Sequence, residues 1–177
     1  MHLLPLFALL LFLVLPHAPV HAQDAAEDTP APCSDDVYRQ FDFWIGTWDV
    51  YNPQDKLVGT NEITAIHGGC ALHEEWTSVR GGGGSSVNYY DPKAEAWKQL
   101  WVDGRGGIID VSGHFTDGAM HFEGVHIYPD GRVELYRMTF TPQENGHVRQ
   151  FIEQSKDDGA TWSTWFDGLY VPEGESP

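Results

Sequence analysis

The chain has 177 residues, a formal net charge of −16 and only 10 Lys and Arg against 26 Asp and Glu. A phosphate backbone is bound by neutralising it with basic side chains, so this balance argues against nucleic acid and anionic membrane surfaces as partners. After a leader is set aside, the length suits a single domain.

Leu3 to Leu15 is almost wholly apolar, and Val20-His21-Ala22 offers small residues at the two positions a signal peptidase reads. Residues 1–22 therefore read as a signal peptide, too short in its apolar run for a membrane span, with cleavage expected before Gln23. No membrane insertion is expected after cleavage, and the destination is periplasmic or secreted. Residues 23–33 are polar, acidic and rich in Pro and Ala, a flexible lead. The chain's two cysteines, Cys33 and Cys70, would meet an oxidising compartment, where a disulfide is the simplest outcome.

Residues 34–177 read as one domain. Ser34 can cap a short helix, with Asp35 and Asp36 in its first turn. Val37, Tyr38, Phe41, Trp44 and Ile45 fall on one side of it, and Gly46 would end it. Strand patterns then follow at short intervals. The segments are 48–51, 57–66, 71–79, 86–90, 96–102, 108–115, 120–128, 133–141, 148–155 and 165–171, separated by turn pairs such as Asn52-Pro53, Asp91-Pro92 and Asn145-Gly146. Nearly all the connections have hairpin length, and crossovers long enough for parallel pairing are missing. The expected fold class is all-β: a roughly ten-stranded up-and-down antiparallel barrel behind a short N-terminal helix.

Ser155-x-Asp157-x-Gly159-x-Thr161-Trp162 matches the Asp-box hairpin of sialidase propellers. There Ser and Asp side chains bond the turn's own backbone. A propeller needs one copy per blade, and this chain has one copy, so the box reads as a well-made hairpin. Gly81 to Gly84 has neither the Lys-Ser/Thr nor the following helix of a phosphate loop. It reads as a mobile hairpin tip, a candidate lid at the barrel mouth.

Alternation places residues of one parity on one face of a strand. Leu72, Glu74, Trp76 and Ser78 share a face, as do Ser86, Asn88 and Tyr90, and Trp97, Gln99, Trp101 and Asp103. The aromatics mark these faces as inward, which brings Glu74, Asn88 and Gln99 inside, where a polar group must be paired or wetted. The far wall could add Arg137 and Thr139. On the ninth strand either Gln150, or Arg149 with Glu153, faces in. The leading expectation is non-catalytic binding of a small, partly aromatic or apolar ligand. Trp76, Tyr90, Trp97 and Trp101 would stack on it, and Glu74, Asn88, Gln99 and Arg137 would orient it. One alternative is an enzyme in which Glu74, beside a histidine, acts as acid and base on a small hydrophobic substrate. The other is a solid core in which Glu74 pairs with Arg137.

No Gly-x-Ser-x-Gly, His-x-His or His-Glu-x-x-His pattern occurs, so neither a hydrolase elbow nor zinc is signalled. His114, His121 and His126 lie on neighbouring strands, and one of them could ligate haem, which needs only one inward histidine.

The run Phe41-Asp42-Phe43-Trp44-Ile45-Gly46-Thr47-Trp48 resembles the opening of a family of exported bacterial domains with no assigned activity. Gly69-Cys70-Ala71-Leu72, Tyr90-Asp91-Pro92, Trp97-x-Gln99-x-Trp101-Val102-Asp103 and Phe166-Asp167-Gly168-Leu169-Tyr170 are similar to later blocks of it. Through Gly46-Thr47-Trp48 the chain also resembles the calycin group: lipocalins, fatty-acid-binding proteins and haem-binding nitrobindins. That resemblance implies a ligand-holding barrel. The lipocalin pattern also has a late-strand Arg covering the first Trp. Here 165–171 has none, and Arg149 is the only late candidate.

Overall fold

A computed structural model describes residues 31–177. The signal-peptide reading of 1–22 and most of the lead lie outside the described residues.

Ten antiparallel strands close into one up-and-down barrel: β1 Gly46–Tyr51, β2 Leu57–Ile66, β3 Ala71–Ser78, β4 Gly83–Asp91, β5 Ala96–Asp103, β6 Ile108–Thr116, β7 Ala119–Ile127, β8 Val133–Pro142, β9 Val148–Ser155 and β10 Ser163–Pro172. Each strand pairs with its sequence neighbour, and β1 pairs with β10, so every backbone ladder is satisfied without an edge. Closure follows from the sequence: period-two patterning buries one face, and short turns leave no route to any other order.

Alternate connections define two ends. The chain enters the barrel at one of them. The expected N-terminal helix is present as two 3-10 turns, Asp36–Arg39 and Asp42–Trp44. Asp35 rather than Ser34 stands at the N-cap, without a side-chain cap bond. Gly46 opens β1 instead of ending a helix. The apolar residues still do what their spacing suggested. Phe41 and Trp44 are fully buried and plug this closed end, stacked on each other with ring centroids 5.0 Å apart. Phe41 meets Trp97 at 5.7 Å, Phe122 at 5.8 Å and Phe140 at 5.1 Å. The indole N–H of Trp48 donates to the Trp44 carbonyl at 3.0 Å, fixing plug to barrel.

Cys33 and Cys70 form a disulfide that ties the lead into the plug to the β2–β3 connection. It closes a loop with a sequence separation of 37, worth about 4 kcal/mol by loop entropy. The bond fits an oxidising compartment. Arg149 does not take the lipocalin position over Trp48: it pairs with Asp167 on the outer face at 2.8 Å.

At the other end lie the turns 52–56, 79–82, 104–107, 128–132 and 156–162. The Asp-box builds the last of them. Ser155 Oγ accepts the Gly159 N–H at 2.8 Å, and Asp157 accepts the Thr161 N–H at 2.8 Å and its hydroxyl at 2.6 Å. The glycine run is shorter as a turn than its composition suggested: Gly83 and Gly84 belong to β4, and only Gly81 and Gly82 turn the chain, both with positive φ.

Candidate functional site

The plug fills one half of the barrel and leaves the other open. A cavity of about 330 Å³ occupies the open half. Its walls are Trp76, Trp101, Trp165 and Phe166 with Val58, Ile109 and Ile152; its polar floor is Glu74, Gln99, Gln150 and Tyr170. The volume falls at the lower end of small-molecule sites. A core solid throughout is therefore corrected: only the plug half is filled.

Close approach makes room for two of the wall tryptophans. A Cβ on Gly59 would stand 2.4 Å from the Trp76 ring and 2.5 Å from the Thr77 carbonyl oxygen. One on Gly84 would stand 2.5 Å from the Trp101 ring. A glycine on each neighbouring strand thus leaves the space that an indole ring occupies.

The floor is a hydrogen-bonded chain. Glu74 Oε1 accepts from Asn61 Nδ2 at 2.7 Å, and Oε2 accepts from the Ser86 hydroxyl at 2.6 Å. Asn88 Nδ2 donates to Ser86 Oγ at 2.8 Å, and Gln99 Nε2 donates to Asn88 Oδ1 at 2.8 Å. Asn61 also reaches the Tyr170 hydroxyl at 3.2 Å, which donates to Gln150 Oε1 at 2.7 Å. Ser86 and Asn88 share β4 and the others each come from a different strand, so the chain links β2, β3, β4, β5, β9 and β10. Burial pushes the Glu74 carboxyl up to about 7, against the pull of its two donors. Asn61 Oδ1, on the same amide that donates to Glu74, is buried without a hydrogen-bond partner among the described residues. Burial and the Glu74 charge likewise raise the Tyr170 phenol well above its ordinary value.

The expected site residues divide into three groups. Glu74, Trp76, Gln99 and Trp101 line the cavity, and Asn88 stands behind Gln99, fully buried. Trp97 and Tyr90 point inward but belong to the plug half. Trp97 is buried against Phe41 and donates to Gln40 Oε1 at 3.3 Å, while Tyr90 meets Tyr38 edge-on at 5.5 Å. Arg137 is a correction. It faces outward, paired with Glu153 at 2.6 Å and lying over the Trp162 ring at 4.3 Å. Its neighbours Tyr136, Met138 and Phe140 are the inward set, and that apolar parity was available in the sequence. Thr139 faces outward with it, and on β9 the inward residue is Gln150.

The histidines do not meet Glu74. His114 and His121 face each other across β6 and β7 on the exposed outer surface. His126 is buried, but its Nδ1 sits 2.9 Å from the Tyr136 hydroxyl and its ring stacks on Tyr128 at 3.9 Å. Desolvation lowers its pKa. Glu134 accepts from Tyr128 at 2.9 Å and pairs with Arg132, completing a polar buttress behind Trp165. The acid/base pair of Glu74 with a histidine is thus not assembled. Among the described residues no group of three or more His, Cys, Asp or Glu side chains is placed to hold a metal ion.

Trp165 was missed in the sequence for a specific reason. The β9–β10 register shifts between Thr164 and Phe166, so Trp165 is the extra residue of a bulge and leans over the mouth although its neighbour Phe166 faces in.

No protein-family model matches the chain, and no curated protein matches it. The ten-stranded closed barrel is consistent with a calycin-like architecture.

Proposed function

We propose that this protein binds a small, partly aromatic ligand in the open half of its barrel, without catalysis, in the periplasm or outside the cell. One observation carries the reading: an open cavity of about 330 Å³ whose walls are indoles and a phenyl ring and whose floor is a few fixed polar groups. Apolar walls supply affinity and sparse polar groups supply orientation. The calycin-like barrel supports it by analogy alone, since one fold hosts many functions.

A second reading, acid/base chemistry by Glu74, draws on the near-neutral acidity of that carboxyl at the cavity floor. It is weaker because both carboxylate oxygens already accept hydrogen bonds, from Asn61 and from the Ser86 hydroxyl, and Ser86 does not line the cavity.

The test is uptake of the uncharged fluorophore phenylnaphthylamine, together with native mass spectrometry of the protein from its own host. Saturable uptake at one site, lost in Trp101→Ala, is the expected result. No uptake and no co-purifying molecule would sink the binding reading.

A further inference from the structure

Arginine side chains on an acidic protein normally find carboxylates, and four do here: Arg39 with Asp42, Arg132 with Glu134, Arg137 with Glu153, and Arg149 with Asp167. Arg80 and Arg105 do not; among the described residues neither has a carboxylate within salt-bridge distance. Both stand at the cavity mouth. Arg80 lines the cavity, and both line the outer vestibule of about 520 Å³ between Trp76, Trp101 and Trp165.

Their backbones are held while their guanidiniums stay uncommitted. The Arg80 N–H donates to Ser78 Oγ at 3.2 Å, and the Arg105 N–H donates to Asp103 Oδ1 at 2.7 Å. The two turns are joined by the Gly104 N–H, which donates to the Gly83 carbonyl at 2.9 Å. Asp103, the one carboxylate lining the vestibule, is turned into its own loop, where Oδ1 also accepts the Gly107 N–H at 2.9 Å.

The surrounding charge points the same way. The five open-end turns carry Lys56, Arg80, Arg105, Arg132 and Lys156 against four carboxylates. The connections at the closed end, with residues 31–45 and 173–177, carry Arg39 and Lys93 against eight. The acidic balance of the whole chain repels a polyanion, whereas two free guanidiniums at a mouth can hold one small anionic group through charge-assisted bonds. At the other end of the cavity, Glu74 disfavours an anion entering head-first.

We infer that the ligand is a small amphipathic anion, an aromatic acid with a single carboxylate or sulfonate group. Its headgroup lies outward between Arg80 and Arg105, and its ring system lies inward between Trp76, Trp101 and Phe166. The inference rests on the binding reading above and names the ligand class for that same site.

The experiment compares anilinonaphthalene sulfonate with its uncharged parent phenylnaphthylamine on the full-length protein, by fluorescence titration at low and high salt. The sulfonate is expected to bind about tenfold tighter at low salt, the scale of one charge-assisted contact, and to lose that advantage as salt rises. The double variant Arg80→Ala, Arg105→Ala should bring it level with the neutral probe measured on the same variant. Arg80→Lys with Arg105→Lys should keep part of the preference. Circular dichroism of each variant checks the fold. Equal binding of the two probes to the wild type would overturn the anionic class and leave the cavity reading standing. A preference that survives the double alanine variant would overturn the assignment to these arginines. If neither probe binds, the binding reading fails and this one with it.

Discussion

At the closed end Phe41 and Trp44 are fully buried, and Phe41 has five aromatic rings about it within 5.8 Å. At the open end Trp165 is 43% exposed and faces a cavity. Both ends are rich in aromatics and both are built on the same ten strands. They differ in what the rings touch: other rings at one end, space at the other. Composition cannot tell these apart, because an aromatic face contributes to a core or to a binding wall according to what fills the volume opposite. Here a short N-terminal segment fills one half, and no described residue fills the other.

The sharpest test of that contrast is a pair of truncations. Trp44→Ala should cost about 3–5 kcal/mol in urea unfolding, since it empties a filled core. Trp101→Ala should cost far less and instead abolish probe binding. Equal stability losses would mean the two ends are not different in kind.

Opening the Cys33–Cys70 bond comes next. Cys33→Ser with Cys70→Ser should lower stability by about 4 kcal/mol, because the cross-link restricts the unfolded chain. Probe affinity below the melting transition should be unchanged, because the bond anchors the closed end only. A loss of affinity in the folded double variant would show that the ends are coupled.

The cavity floor gives a pH-dependent test. The folded Glu74 carboxyl titrates near 7 against 4.5 for an ordinary glutamate, so folding favours its protonated form. Below pH 4.5 both states hold the proton and the group contributes nothing. Stability then falls as pH rises through the window to about 7, by a limiting amount of about 3 kcal/mol. Glu74→Gln should therefore be more stable than wild type at pH 8 and equal to it at pH 4, in unfolding curves measured at both. A wild type that gains stability relative to Glu74→Gln on going from pH 4 to pH 8 would contradict the burial argument.

The smallest expected effect is at Gly59. Gly59→Ala places a methyl against the Trp76 ring and the Thr77 carbonyl, costing about 1–3 kcal/mol by overpacking. The indole must shift toward the cavity, so phenylnaphthylamine affinity should fall. Unchanged affinity would remove Gly59 from the account of how the wall is seated.

Much is legible in the sequence alone. Asn, Asp, Gly and Pro at the turns and period-two patterning between them suffice for ten strands in order, since each hairpin is decided locally. Inward placement of Glu74, Trp76, Gln99 and Trp101 followed from aromatic parity within single strands. Arg137 turns outward because the inward parity of β8 is carried by Tyr136, Met138 and Phe140. The Asp-box hairpin was legible because its bonds lie within seven residues.

By itself the sequence determined the strand order, the barrel class, the cysteine pair and which face of most strands turns inward. Each of these depends on neighbours near in the chain, or on the only partner available. Only the tertiary structure decided which inward residues see ligand-sized space. Trp97 and Trp101 share one face of β5, yet the first is packed by Phe41 and the second is not. The bulge that tips Trp165 over the mouth, and the convergence of Arg80 and Arg105, are also matters of distance between segments far apart in sequence. No local pattern encodes that distance.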